Sequence, residues 1–260
     1  MTDRQIRFND GEAYERFMGK WSRLAGDVFL EWLKPKWEFH WLDVGCGNGA
    51  FTELLFDRVD PREVHGIDPS EGQLAYARTR LKGRNATFHL GAATPLPFPD
   101  GSFDAVVMAL VLFFVPEPEK GLQEMVRVAK PGAAISAYVW DIFGGGFPTE
   151  PIIDEMRAFG IEPLLPPRAD VSPLPELQRL WSSAGLNNIS TRTIEIERTF
   201  EDFDDLWSSA RGAASLATVF DAMTPADLKK LKTAVRNRVP SEANGEIRLR
   251  ARANAITGVK

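Results

Sequence analysis

A chain of 260 residues with 44% hydrophobic side chains can bury a full core and is not disordered. Its net charge of −5 and pI near 5.4 argue against a general nucleic-acid binder, because phosphate contacts need a basic surface. The single cysteine, Cys46, excludes an internal disulfide and any cysteine cluster for metal chemistry.

At the amino end, Met1 to Arg4 lacks a charged segment followed by an apolar one, so a cytoplasmic location is expected. Ala13 to Arg23 reads as an amphipathic helix. Residues 41–45 then read as a short buried strand, followed by glycines at alternate positions, Gly45, Gly47 and Gly49. Glycine admits positive φ and has no side chain to hold a ligand away. A helix is expected over 49–58, with its unpaired amides facing that turn, a setting suited to a carboxylate or phosphate.

A second strand is expected over 63–68, ending in Asp68-Pro69, and Ser70 with Gln73 forms a capping box opening a helix over 71–82. Further strands are expected over 86–90, 103–109 and 133–140, with a helix over 117–129. Alternating strands and helices make a doubly wound α/β fold of mainly parallel strands, whose ligands bind outside the strands' carboxyl ends at the switch point. Gly45, Asp68, Gly91, Ala92, Ala93, Ala109, Leu110 and Trp140 fall along that edge. The longest apolar run, Ala105 to Val115, is 11 residues, too short for a spanning helix.

Beyond the fifth strand, glycines at 144–146 and prolines from 163 to 175 suggest an irregular segment around a helix over 150–159. A helix over 176–184 is stopped by Gly185, a strand runs over 188–199, helices follow over 203–211 and 225–239, and a last strand over 246–256. Lys229, Lys230, Lys232, Arg236 and Arg238, with Arg248, Arg250 and Arg252, read as solvated faces. No metal signature is present, His40, His65 and His89 read as structural, and Cys46 reads as a small residue that fits the turn.

The glycines alone admit two cofactors. A dinucleotide fingerprint can be laid over Gly45, Gly47 and Ala50 with Asp68 as the ribose acid. Asp43 to Gly49, however, also resembles the first motif of class I S-adenosylmethionine-dependent methyltransferases, an acid followed after one residue by Gly-x-Gly-x-Gly. Val64 to Ser70, Leu96 to Asp104 and Val126 to Gly132 resemble three further segments of that family, in particular of the group that includes the ubiquinone/menaquinone-type C-methyltransferases, in order and spacing, and Ala13 to Arg23 resembles the leading helix of a subgroup in which this segment folds over the cofactor.

The resemblance implies a Rossmann-like seven-stranded sheet, mainly parallel with the last strand antiparallel, in a single domain over 1–260. It further implies cofactor-covering helices in 1–35 and substrate-lid insertions in 141–175 and 200–245. S-adenosyl-L-methionine is the implied cofactor and S-adenosyl-L-homocysteine its product. Tyr14, Trp21 and Ser22 would reach the methionine carboxylate, and Met18 would pack on the thioether. Asp43, Gly45, Cys46, Gly47, Asn48 and Gly49 would form the turn beneath it, Asp68 and Pro69 would hold the ribose, and Gly91 to Ala93 with Ala109 and Leu110 would enclose the adenine side.

One departure stands out. Where the family usually has Gly-Asp-Ala, this chain has Gly91-Ala92-Ala93, so the side-chain acceptor for the adenine amino group is missing, and a non-catalytic S-adenosylmethionine-binding protein is the alternative. The acceptor is expected to be a small, apolar metabolite, from Phe143, Phe147, Phe159, Trp207 and Phe220 in the insertions. Arg157, Arg168 and Arg211 are candidate handles for a carboxylate or phosphate on it. Tyr14 and Asp141 are the candidates for a general base, if one is used, because an activated methyl group needs little more than alignment.

Overall fold

The computed structural model describes residues 18–260, of Ala214 only the backbone. Seven strands, β1 (His40–Val44), β2 (Glu63–Asp68), β3 (Ala86–Leu90), β4 (Phe103–Ala109), β5 (Ala129–Trp140), β6 (Asn187–Phe200) and β7 (Ile247–Val259), form one sheet. Their spatial order is β3-β2-β1-β4-β5-β7-β6. The first five pair in parallel, and β7 lies between β5 and β6, antiparallel to both. The expected Rossmann-like sheet with an antiparallel last strand is therefore the observed one.

Helices α1 (Lys20–Leu33), α2 (Ala50–Arg58), α3 (Glu71–Arg80), α4 (Pro118–Val128) and α6 (Leu174–Ser183) pack on the sheet, which explains why β1 and β4 are buried almost continuously along their length rather than at alternate residues. α1 buries Trp21, Ala25, Gly26, Phe29 and Leu30. It can lie close because a β-carbon on Gly26 would meet Leu54 Cδ2 at 2.7 Å. Phe29 reaches Tyr138 of β5, ring centroids 4.6 Å apart.

Ser70 accepts from the Gln73 amide at 3.4 Å, as the capping box requires, while the Ser70 amide is taken by Asp68 rather than by Gln73. The Lys130-Pro131-Gly132 turn is absorbed into β5 as an irregularity, the register slipping between Phe103 and Ala105.

The insertions contain α5 (Glu150–Ala158), α7 (Phe203–Ala210), α8 (Ala214–Asp221) and α9 (Pro225–Arg238). α8 was not anticipated. Leu216, Val219 and Phe220 bury one face of it, and Phe220 stacks on Trp207 at 5.2 Å. Trp207 and Phe220 are thus packed inside the insertion. Four of the five basic residues of α9 are paired: Lys230 with Asp227, Lys232 and Arg236 with Asp204, and Arg238 with Asp154 and Glu155 of α5.

Candidate active-site cleft

Register puts the carboxyl ends of the parallel strands in line: Val44 opposite Ile67, Asp68 opposite Leu90, Ala109 opposite Tyr138. The chain leaves β1 for β2 and β3 on one side and returns to β4 and β5 on the other, so β1 and β4 flank the switch point. A cleft of about 500 Å³ opens there.

The three glycines after β1 each have a different reason. Gly45, at φ 75°, lies against Val111, whose Cγ1 would be 2.4 Å from an added β-carbon. Gly49, at φ 78°, sits against Ala77 and Leu81, letting α2 start close to α3. Gly47, at φ 51°, faces open space within the cleft, so a side chain there would occupy ligand volume rather than clash with protein.

Asp68 ties the turn to β2. Its Oδ2 accepts from the Gly47 amide at 3.0 Å and its Oδ1 from the Ser70 amide at 2.9 Å. Burial raises its pKa, and these two amides oppose that rise. Each oxygen keeps a lone pair for a ligand hydroxyl. Asp43 lies beneath the turn, fully buried, with Oδ2 accepting from the Thr52 hydroxyl at 2.7 Å. Its Oδ1 has no partner among the described residues. Burial pushes the Asp43 carboxyl up to about 7, opposed by the Thr52 hydroxyl and helped by the charge of Asp68.

Among the expected cofactor residues, Met18, Ser22, Asp43, Gly45, Cys46, Gly47 and Asn48 line the cleft, as do Asp68, Pro69, Gly91, Ala92, Ala93, Ala109 and Leu110. Leu110 is held at φ 62°, its amide on the Tyr138 carbonyl at 2.8 Å. A leucine in that region costs about 1 kcal/mol, strain of a kind that collects at functional sites. Cys46 is buried, and burial raises its thiol pKa well above the usual range, which suits a space-filling residue rather than a nucleophile.

Three expectations are corrected and one lies beyond the structure. Trp21 is buried at 0% exposure, 6.4 Å from Phe200 in ring centroids, and does not line the cleft, because the face of α1 that carries it points into the core. Gly49 serves helix packing, not the cleft wall. Asp141 is not a cleft residue: its Oδ2 accepts from Arg252 Nε at 2.8 Å and its Oδ1 from the Gly144 amide at 3.2 Å. Tyr14 lies outside the described residues.

Two of the handle arginines are engaged elsewhere, Arg157 with Glu150 and Asp154, Arg168 with Asp170 and the Pro116 carbonyl, and the third, Arg211, is exposed and does not line the cleft. Phe143 and Phe159 are exposed, at 63% and 44%. None of the three histidines lines the cleft, and His65 Nδ1 and His89 Nε2 sit 2.9 Å apart.

Sequence reasoning missed much of the opposite wall. Val111, Phe113 and Phe114 come from a 3₁₀ turn after β4 that the apolar run disguised, and Leu164, Pro166, Ala213 and Ser215 come from the insertions. The density of apolar residues after the strand was the available signal. An open glycine turn, a carboxylate with spare lone pairs beside it and a buried carboxylate oxygen without a partner together fit a ligand bearing a diol and a positive charge.

The family described as "Methyltransferase domain" matches residues 42–137. A demethylmenaquinone methyltransferase of Anoxybacillus flavithermus is 41% identical over 98 residues, covering 36% of this chain and 41% of that protein. An uncharacterized methyltransferase of Schizosaccharomyces pombe is 39% identical over 103 residues, covering 36% and 37%. The chain thus spans less than half the length of these curated relatives. Among solved structures, a SAM-dependent methyltransferase from Aquifex aeolicus superposes with a TM-score of 0.53 at 25% identity, covering 72% of this chain and 93% of that one. The phosphoethanolamine N-methyltransferase 2 of Haemonchus contortus, in complex with S-adenosyl-L-methionine, shares the fold at a TM-score of 0.60 and 18% identity, covering 99% and 58%.

Proposed function

We propose, from the match of residues 42–137 to the methyltransferase-domain family, that this protein transfers a methyl group from S-adenosyl-L-methionine to a small, apolar acceptor by in-line displacement. The observation that carries the reading is the pairing of Gly47, facing open space, with the Asp68 carboxylate on one side of the same cleft. When bound, the cofactor supplies a methyl group already activated on a sulfonium.

The protein's own residues then bind, orient and exclude water. Asp68 would accept from the ribose hydroxyls, using the lone pairs that Gly47 and Ser70 leave. Asp43, next to the turn, would place negative charge near the cationic methionine end. Gly91, Ala92 and Ala93 would hold the base through backbone groups, one net hydrogen bond weaker by about 1 kcal/mol for want of a side-chain acceptor at Ala92. Phe113, Phe114 and Trp140 would dry the other half, where alignment supplies most of the rate. The segments 141–175 and 200–245, which contribute Phe147, Leu164 and Ala213 to the cleft wall, would act as its lid. We assign no general base.

Titration calorimetry with S-adenosylmethionine, S-adenosylhomocysteine and NADH tests the reading. The two sulfur compounds are expected to bind in the micromolar range. Asp68→Ala should weaken both at least about tenfold, and NADH should not bind. NADH binding, or indifference to Asp68→Ala, would overturn it. Cofactor binding without methyl transfer to any of a broad panel of phenols, quinols, amines and thiols would favour the non-catalytic alternative, toward which Ala92 points.

A further inference from the structure

The run Asp141 to Phe147 joins the last residue of β5 to the first insertion, and it is fastened more tightly than its glycines suggest. Asp141 takes Arg252 Nε on one carboxylate oxygen and the Gly144 amide on the other. Arg252 also donates to the Gly144 carbonyl. Backbone bonds close the loop: Asp141 N to Arg252 O at 2.9 Å, Arg252 N to Gly146 O at 2.8 Å, and Gly146 N to Asp141 O at 2.9 Å. Side chains at 144 or 146 would not fit, since a β-carbon on Gly144 would lie 2.2 Å from Asp141 Oδ2 and one on Gly146 would lie 2.6 Å from Arg252 Cβ.

This fastening stands between two aromatic residues of the cleft, Trp140 and Phe147. Trp140 belongs to a sheet strand, whereas Phe147 is carried by the loop, three residues before α5 begins, and packs partly buried against the core from there. Among the described residues no lysine, arginine or histidine lines the cleft, and its carboxylates, Asp43 and Asp68, stand at the cofactor end. An anionic acceptor would therefore lose its hydration without gaining a counter-ion, a cost that a neutral one avoids.

We propose that Phe147 is the residue that selects a neutral, planar apolar acceptor, and that Arg252 is a positioning residue that acts through Asp141 to hold it. The proposal rests on the methyl-transfer reading of the cleft. 2-Naphthol and 2-naphthoate serve as matched probes, titrated into the protein with and without S-adenosylhomocysteine. Wild type is expected to bind 2-naphthol at least about tenfold more tightly than 2-naphthoate. Phe147→Ala should weaken 2-naphthol about fivefold or more while the affinity for S-adenosylhomocysteine stays put, and Phe147→Lys should reverse the preference by supplying a counter-ion.

Arg252→Ala should weaken 2-naphthol as Phe147→Ala does, the double variant should lose no more than either, and Arg252→Lys should restore part of the loss. Equal or tighter binding of 2-naphthoate by wild type would overturn the proposal. So would unchanged 2-naphthol binding in Phe147→Ala, or additive losses in the double variant. Naphthol selectivity that survives in a protein failing to bind S-adenosylhomocysteine would sustain the acceptor wall and sink the cofactor reading alone.

Discussion

Asp43 carries the clearest pH signature. Its folded pKa of about 7 stands well above the ordinary 3.8, because burial disfavours the carboxylate. The folded state therefore holds a proton that the unfolded chain has released, and stability falls as pH rises from about 4 to about 7. Asp43→Asn keeps an acceptor for Thr52 without the charge. It should be more stable than wild type at pH 8, by up to roughly 4 kcal/mol, and equal to it near pH 4. Urea titrations at the two pH values check this, and equal stability of the two proteins at pH 8 would refute it. The glycines separate in the same way. Gly47→Ala meets open space and should fold with a penalty of about 1 kcal/mol for its positive φ, yet lose cofactor affinity, whereas Gly45→Ala meets Val111 and should fail to fold stably.

Among the elements, the segment before β4 depends on a single side chain of α4. Arg127 donates to the carbonyls of Leu96 and Phe98, and pairs with Asp100 and Glu124. Glu124 in turn accepts from the Leu96 amide at 2.7 Å. Both pKa values are displaced toward the charged forms by this pairing. Arg127→Met keeps most of the aliphatic stem but takes the partner from two carbonyls and two carboxylates, and should cost about 2 kcal/mol in chemical denaturation. The cap at Thr224, whose hydroxyl accepts from the Asp227 amide at 3.2 Å, predicts a smaller loss of about 1 kcal/mol for Thr224→Ala.

Across the whole molecule, the long β6 and β7 pair runs beyond the end of β5: Trp140 opposes Ala253, while β6 continues with β7 to Phe200 opposite Ile247. That overhang carries α7, α8 and α9 out to the carboxyl edge of the sheet. The two insertions meet where Arg238 of α9 reaches Asp154 at 2.6 Å and Glu155 at 3.1 Å on α5. Partly exposed pairs of this kind add little to global stability. Arg238→Ala should change the denaturation free energy by less than about 1 kcal/mol yet speed limited proteolysis within 141–175 and 201–245. A large loss of stability with unchanged proteolysis would show the contact to be part of the core instead.

The sequence by itself determined the strand, glycine turn and helix at 40–58, the acid at the end of β2, and the alternation that makes a doubly wound sheet. All of these rest on local periodicity and on residue types with narrow conformational uses. The insertion of β7 between β5 and β6, the burial of Trp21 and the existence of α8 were decided only by the tertiary structure, because each depends on which distant surfaces meet. Asp141 shows the limit most plainly. An isolated acid at a strand end reads equally as a base or as half of an ion pair, and its partner, Arg252, lies 111 residues away in the chain and 2.8 Å away in space.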